Sequence, residues 1–307
     1  MGEFSVKFRG VRGSYPTANQ KFLQYGGNTA CVEINAGGHL IILDAGTGIV
    51  SLGDDLTESY ITSGFSEEER KPVKATVLLS HIHHDHIQGL TFFRPLHLKS
   101  TRIDVFGNMP ENEDLEKEIS DILFGKAFPL DLKDIKGNLN IKTITDSDTI
   151  ILRNGCEPVV TKLSENTTPQ YDDVVIENYK SFAHPQDGVT IYKISYKGKS
   201  VVYATDKESY LGGDKKLTEF ARNCNLLIHD SQYTTEDYVN QFSPKQGYGH
   251  STFDDALEVK RQTNAEKLVF FHFEPSYNDE KMNSIKERYA NCENSIVAYE
   301  GLELDLI

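Results

Sequence analysis

"LLSHIHHDHIQGL", residues 78–90, sets four histidines and one aspartate within six positions, directly behind an apolar run. The chain has only 10 histidines, so the crowding of His81, His83, His84 and His86 around Asp85 needs a chemical reason. Imidazoles packed this closely make a poor core and a good metal site. On an extended backbone His81 and His83 are two apart and project the same way. Asp85 and His86 follow where the chain turns. This spacing offers two pairs of ligands to two neighbouring metal ions, unlike the HxxxH pattern of a helical site. Neutral imidazole with carboxylate suits zinc, with manganese or iron as alternatives.

Working outward, short β-rich runs recur along the chain: SVKFRG, HLIILDAG, ATVLLSH, RIDVFG, VTIYKISY, KSVVYATD, NLLIHD and EKLVFFHF. Helical spacing lies between some of them. Residues 113–124 carry Leu115, Ile119, Ile122 and Leu123 on one stripe. Residues 252–264 open on Thr252 and place Phe253, Ala256, Leu257 and Lys260 at helical spacing. Residues 278–290 open on an Asn278 cap followed by acids. The segment 160–180, with its polar start and Pro169, reads as a loop. Mixed strands and helices without a long linker imply one α/β domain over residues 1–307, two sheets between helices. Four apolar strands end in a residue able to ligate: Asp44, His81, Asp206 and His272, and LLIHD adds Asp230. Rigid strands presenting such side chains from short loops build a site at one sheet edge.

With 307 residues and 38% hydrophobic content, the chain can bury a full core. Its net charge of −14 disfavours a large nucleic-acid partner. Cys31, Cys156, Cys224 and Cys292 form no CxxC pair, which argues against a disulfide framework or a thiolate zinc site. No basic, apolar leader opens the sequence, and no apolar run approaches the roughly 18 residues of a membrane span. A cytoplasmic protein with no membrane partner is expected.

The SHIHHDHIQGL stretch resembles the HxHxDH signature of the metallo-β-lactamase superfamily. GHST at 249–252, followed by a helix and KLVFFHFEPSY, resembles the end of RNase Z-type phosphodiesterases. GVRGSYP, YGGNTACVEI and IILDAGTGI resemble a bacterial and phage group in that branch that cuts cyclic phosphates, including 3′,5′-cyclic nucleotides (the anti-Pycsar type). The resemblance covers most of the chain and is weak between about residues 100 and 180. It implies an αββα metallo-β-lactamase sandwich, two mixed β-sheets flanked by helices, with two divalent metal ions at one edge. His81 and His83 match the first metal's ligands, and His184 the distant histidine that completes that site. Asp85, His86 and His272 match the second metal's ligands, and Asp206 the carboxylate bridging both. His84 falls on the variable position of the signature. Zinc is the expected metal, with manganese as the alternative.

The resemblance also implies a chemistry, in which a hydroxide held between the metals attacks phosphorus. His250, in GYGHST, matches the histidine that protonates the leaving group. Asp230 is its expected orienting partner, in place of the commoner Glu, and Asp85 also steers the hydroxide. Asp44 reads equally as support for a ligand or as a turn-former. His39 and His97 read as surface residues. Candidate substrate contacts are Tyr171, Tyr179, Tyr233, Tyr238, Tyr248 and Lys245. SPKQGYG runs straight into His250, so Tyr248 and Lys245 lead. The expected substrate is a small cyclic phosphodiester, most of all a 3′,5′-cyclic nucleotide. RNase Z-type tRNA 3′ processing is the alternative, disfavoured by the charge and by the lack of a basic, glycine-rich arm. A protein that binds or sequesters a cyclic nucleotide without turnover is the alternative of another class. A homodimer is expected from related proteins in which such loops come from a partner subunit.

Overall fold

A computed structural model describes residues 2–126, 128–135, 138–162, 168–210 and 212–307. The first sheet holds β1 (Phe4–Gly10), β2 (Cys31–Ala36), β3 (His39–Leu43), β4 (Lys74–Leu79), β5 (Arg102–Asn108) and β6 (Asn138–Ile144). The second holds β7 (Asp148–Leu152), β8 (Val159–Lys162), β9 (Val174–Ser181), β10 (Val189–Tyr196), β11 (Lys199–Ala204), β12 (Leu226–Asp230), β13 (Lys267–Phe271) and β14 (Ser295–Val297). The C-terminal β15 (Glu303–Asp305) returns to pair with β1. Strand orders are β15-β1-β2-β3-β4-β5-β6 and β14-β13-β12-β11-β10-β9-β7-β8. Each sheet is antiparallel at one side and parallel at the other, β3 to β6 in the first and β11 to β14 in the second.

The helices are α1 (Ile49–Thr62), α2 (His84–Ile87), α3 (Leu115–Leu123), α4 (Lys215–Phe220), α5 (Thr235–Tyr238), α6 (Phe253–Thr263) and α7 (Asp279–Arg288). Their ends follow local chemistry. Thr252 and Asp255 form a reciprocal capping box on α6, and Asn264 closes it in the left-handed conformation. Asn278 caps α7. On α6 the buried face is Phe253, Ala256, Val259 and Thr263, whereas the expected Leu257 and Lys260 lie half-buried beside it.

The central strands are apolar on both faces because both faces are covered. Ile41, Leu43 and Leu78 join Ile176, Ile194, Tyr203 and Phe271 in the core between the sheets. The alternate residues Ile42, Val77 and Leu79 pack outward against Ile49 and Leu52 of α1 and Leu115 and Ile119 of α3. Residues of α6 and α7 extend the inter-sheet cluster over the outer side of the second sheet. The layers therefore run helix, sheet, sheet, helix, as expected. Among the described residues, no helix is long and apolar enough to cross a membrane.

The loop expected over 160–180 is a correction. Its two ends are strands, β8 and β9, and residues 163–167 lie outside the described residues. β9 alternates buried Val174, Ile176 and Asn178 with half-buried Val175 and Glu177. The buried Asn178 amide donates to the Asp148 carbonyl at 2.8 Å, so a polar residue occupies a core position and masks the period.

Candidate metal centre

Parallel strands place their carboxyl ends at one edge, the usual seat of a site in an α/β sheet. Here Asp44 follows β3, His81 follows β4, Asp206 follows β11, Asp230 ends β12 and His272 follows β13. His184 arrives from the turn after β9, and Asp85 and His86 lie in α2, for which His83 is the N-cap residue. His84, also in that turn, is exposed and belongs to none of the clustered donors.

Two separate donor groups form, and a third set, Asp206, Asp230, His250 and His272, overlaps the second. His81, His83 and His184 make one, and Asp85, His86, Asp206 and His272 make the other, with donor atoms in each within 4.8 Å of one another. In the second group His86 Nε2 lies 3.2 Å from His272 Nε2, Asp85 Oδ2 and Asp206 Oδ1. His272 Nε2 lies 3.1 Å from Asp85 Oδ2 and 3.2 Å from Asp206 Oδ1. The other oxygen of Asp206 faces the first group, 3.7 Å from His81 Nε2 and 3.8 Å from His184 Nε2. His184 Nε2 and His83 Nδ1 stand 3.1 Å apart. Four ligands set tetrahedrally at roughly 2.0–2.1 Å from zinc would lie about 3.3–3.4 Å apart, so these spacings fit an ion in each group with Asp206 between them. His81 Nε2 is buried with no hydrogen-bond partner, as a nitrogen reserved for a metal would be.

The surrounding hydrogen bonds decide which nitrogen faces inward. His184 Nδ1 donates to the Gly249 carbonyl at 2.9 Å, and His86 Nδ1 donates to Asp44 Oδ2 at 2.8 Å. Each leaves Nε2 with a free lone pair. Asp44 also accepts from Ser80 N–H at 2.7 Å, Ser80 Oγ at 2.8 Å and Tyr203 OH at 2.7 Å. Both readings of Asp44 hold, because it supports His86 and turns the chain with φ at 59°. Ser14 N–H donates to Asp85 Oδ2 at 2.7 Å. Gly13 is needed beside it: a Cβ there would lie 2.5 Å from His272 Cε1.

Electrostatics match a cation site. Burial pushes His81, His83 and His184 down, keeping them neutral and lone-pair bearing. Burial also opposes charge on His86, yet Asp206, Asp85 and Asp44 carry it well above its ordinary value. The same converging carboxylates attract a divalent ion.

His250 adjoins this cluster, its ring stacked on His272 at 5.1 Å and edge-on to His184 at 5.0 Å. Its Nδ1 donates to Asp230 Oδ2 at 2.7 Å. Asp230 is fully buried and held by three backbone donors, Lys207 N–H and Gln232 N–H at 3.0 Å and Ser251 N–H at 3.3 Å. The Asp in place of the commoner Glu therefore reaches. Burial pulls His250 down, but Asp230 by charge and hydrogen bond raises it above its ordinary value, with Asp206 and Asp85 adding to the effect.

The candidate substrate residues divide. Tyr248 is 54% exposed beside His250, and Lys245 Nζ sits over the Tyr248 ring at 5.4 Å and the Tyr233 ring at 5.8 Å. Tyr238 donates to Glu208, and Tyr233 is buried with its ring 6.1 Å from His250. Tyr179 belongs to the core, edge-on to Phe220, and Tyr171 lies exposed in the turn before β9. His97 is exposed, as expected. His39 is not a surface residue: it is half-buried with Nε2 enclosed, at the start of β3, which runs between β2 and β4.

Residues 39–273 match the family model described as a beta-lactamase superfamily domain. The chain belongs to the beta-lactamase superfamily. Its relatives include ribonuclease Z of Picrophilus torridus, 23% identical over 99% of this chain and 96% of that protein. Among solved structures it is similar to the metallo-β-lactamase fold protein YhfI of Bacillus subtilis, with a TM-score of 0.62, 17% identity and 98% of both chains covered. The short form of human tRNase Z is similar at a TM-score of 0.61 and 14% identity, covering 99% of both chains. At these identities the structural likeness speaks to the metallo-β-lactamase fold alone. The ribonuclease Z relatives also remove the force of the charge argument against a large nucleic-acid substrate.

Proposed function

We propose that this protein is a metal-dependent phosphoric diester hydrolase acting on a small cyclic phosphodiester, foremost a 3′,5′-cyclic nucleotide. The observation that carries the reading is the buried Asp230–His250 pair set directly against the two donor groups. His81, His83 and His184 would hold one divalent ion, Asp85, His86 and His272 the other, and Asp206 both. Bound there, zinc or manganese would acidify water and polarise the phosphoryl oxygens. Asp230 fixes the His250 tautomer, which leaves Nε2 to face the leaving oxygen. As the P–O bond breaks, its electron pair stays on that oxygen and the Nε2 proton of His250 joins it. Asp85, fixed by Ser14 N–H, orients the attacking water.

A cavity of about 470 Å³ adjoins His184 and Gly249. Lys245 is the cation carried by the loop that precedes His250, in a chain of net charge −14. Tyr248 offers an exposed ring for a base. The whole chain, residues 1–307, acts as one cytoplasmic domain, and a homodimer would complete the mouth of the site.

A second reading, tRNA 3′ processing, is supported by the ribonuclease Z relatives that span nearly the whole chain. One panel separates the two: cyclic mononucleotides, cyclic dinucleotides, a linear diester reporter and a precursor tRNA, each with added zinc or manganese. Cleavage of a cyclic mononucleotide with the tRNA left intact is the expected result. Cleavage of the tRNA alone would replace this reading with the second. Tight binding of a cyclic nucleotide without product would make the protein a sequestering one.

A further inference from the structure

We infer that Glu208 is a positioning residue that holds the His250 loop in register with the metal ligands. The inference rests on the reading of His250 as proton donor. Glu208 lies two residues beyond Asp206, and its N–H donates to the Ala183 carbonyl at 2.9 Å, next to His184. Its carboxylate reaches the opposite way. Oε1 accepts from Gly247 N–H at 2.7 Å and from Tyr238 OH at 2.5 Å, and Oε2 accepts from Gly249 N–H at 3.1 Å. Gly249 precedes His250, and its carbonyl is the acceptor that sets the His184 ring. One residue, through its N–H and its carboxylate, therefore ties together the segments that supply Asp206, His184 and His250.

The requirement is for a carboxylate, because all three partners are donors. The glycines are equally constrained. Gly249 has φ of +86°, and a Cβ on it would lie 2.2 Å from Pro185 Cδ and 2.5 Å from His184 Nδ1. The loop otherwise grips the body of the protein lightly: Lys245 N–H donates to the Tyr238 carbonyl at 3.0 Å, and Phe242 at its tip is 88% exposed. A glutamine at 208 has one acceptor oxygen. Either orientation of its amide sets an N–H against a glycine N–H, so Glu208→Gln releases one of the two glycine contacts while keeping shape and volume.

The test compares leaving groups in the metal-loaded protein. Bis(p-nitrophenyl) phosphate releases a nitrophenolate that departs without a proton. A 3′,5′-cyclic nucleotide releases a ribose alkoxide that needs one. Glu208→Gln should lower kcat on the cyclic nucleotide by about 10–100-fold. KM, and kcat on the nitrophenyl diester, should stay within about threefold. Tyr238→Phe, which keeps both glycine contacts, should leave amide exchange at residues 247–249 at its wild-type rate. Amide hydrogen exchange at residues 247–249 should quicken in Glu208→Gln alone. Equal losses on both substrates, or a cyclic-nucleotide rate matching wild type, would overturn the inference. If the wild-type protein cleaves no diester, the proposed function fails instead. Exchange then decides Glu208 alone, and unchanged protection at residues 247–249 overturns its role.

Discussion

Asp230→Asn is the substitution that most directly tests the proton-donor assignment. The side chain keeps its shape and loses its charge. In the native protein Oδ2 accepts from Lys207 N–H and His250 Nδ1–H, while Oδ1 accepts from Gln232 and Ser251 N–H. An asparagine must turn its NH2 toward one of these pairs, and every member of both is a donor. Either way at least one buried backbone N–H is left facing another donor, at about 1–3 kcal/mol. In a chain of this size that corresponds to a fall in Tm of roughly 1.5–5 °C. If the NH2 faces His250, Nδ1 becomes the acceptor and the imidazolium loses its partner. The ring then gives up its Nε2 proton reluctantly, and the general-acid contribution of about 10²–10⁴ in kcat is forfeited. The assay is steady-state hydrolysis of a cyclic nucleotide with metal content measured in parallel. Metal content should hold, because the Asp230 hydrogen bonds go to His250 and to the N–H groups of Lys207, Gln232 and Ser251 rather than to the ligating side chains. Asp230→Asn combined with His250→Ala should be no slower than His250→Ala, since both act through one proton. Losses that multiply, or an Asp230→Asn protein with wild-type rate, would refute the assignment.

Four further outcomes follow from the same geometry. Gly13→Ala drives a methyl into the His272 ring, so bound metal measured by mass spectrometry should fall from two ions per chain toward one. Asp44→Ala removes the acceptor of His86 Nδ1 and should weaken metal binding by about 10–100-fold in a chelator competition. A strong chelator should abolish hydrolysis and lower Tm, with zinc or manganese restoring both; activity that survives complete metal removal would end the two-metal reading. Lys245→Ala should raise KM by about two- to fivefold with kcat unchanged, the size expected of one exposed charge contact.

What could be read from the sequence was chemistry carried by side-chain identity at constrained spacing. HIHHDH can be recognised because imidazole and carboxylate are costly to crowd without a metal. Asp44, Asp206, Asp230 and His272 could be read because each interrupts an apolar strand at its end. Ser14 could not be: it acts through a backbone N–H, and any non-proline residue supplies one. Tyr203 sits in KSVVYATD as an ordinary strand aromatic, and nothing local shows that its hydroxyl reaches Asp44. Glu208 has the look of a solvated acid, because its three partners lie 30 or more residues away. The strand β9 was hidden by the polar approach to it and by Asn178 on its buried face.

The strand ends also show why pattern alone could not place the ligands. Along a strand, side chains point alternately to the two faces. A ligand at the sheet edge must leave that alternation. Asp44, Asp206 and His272 do so in the left-handed conformation, with φ of 59°, 49° and 64°, Asp44 and His272 directly after their strands and Asp206 one residue further on. A non-glycine residue held there costs roughly 1–3 kcal/mol. Asp44 recovers this through four partners, the Ser80 N–H, the Ser80 and Tyr203 hydroxyls and His86. Asp206 and His272 have mainly other ligands as neighbours: carboxylate oxygens and imidazole nitrogens that all seek a positive charge. Their conformations are offset best when cations share those atoms. The site is thus coupled to folding through its own strained backbone, and metal removal should loosen the edge that joins the two sheets as well as stop the reaction.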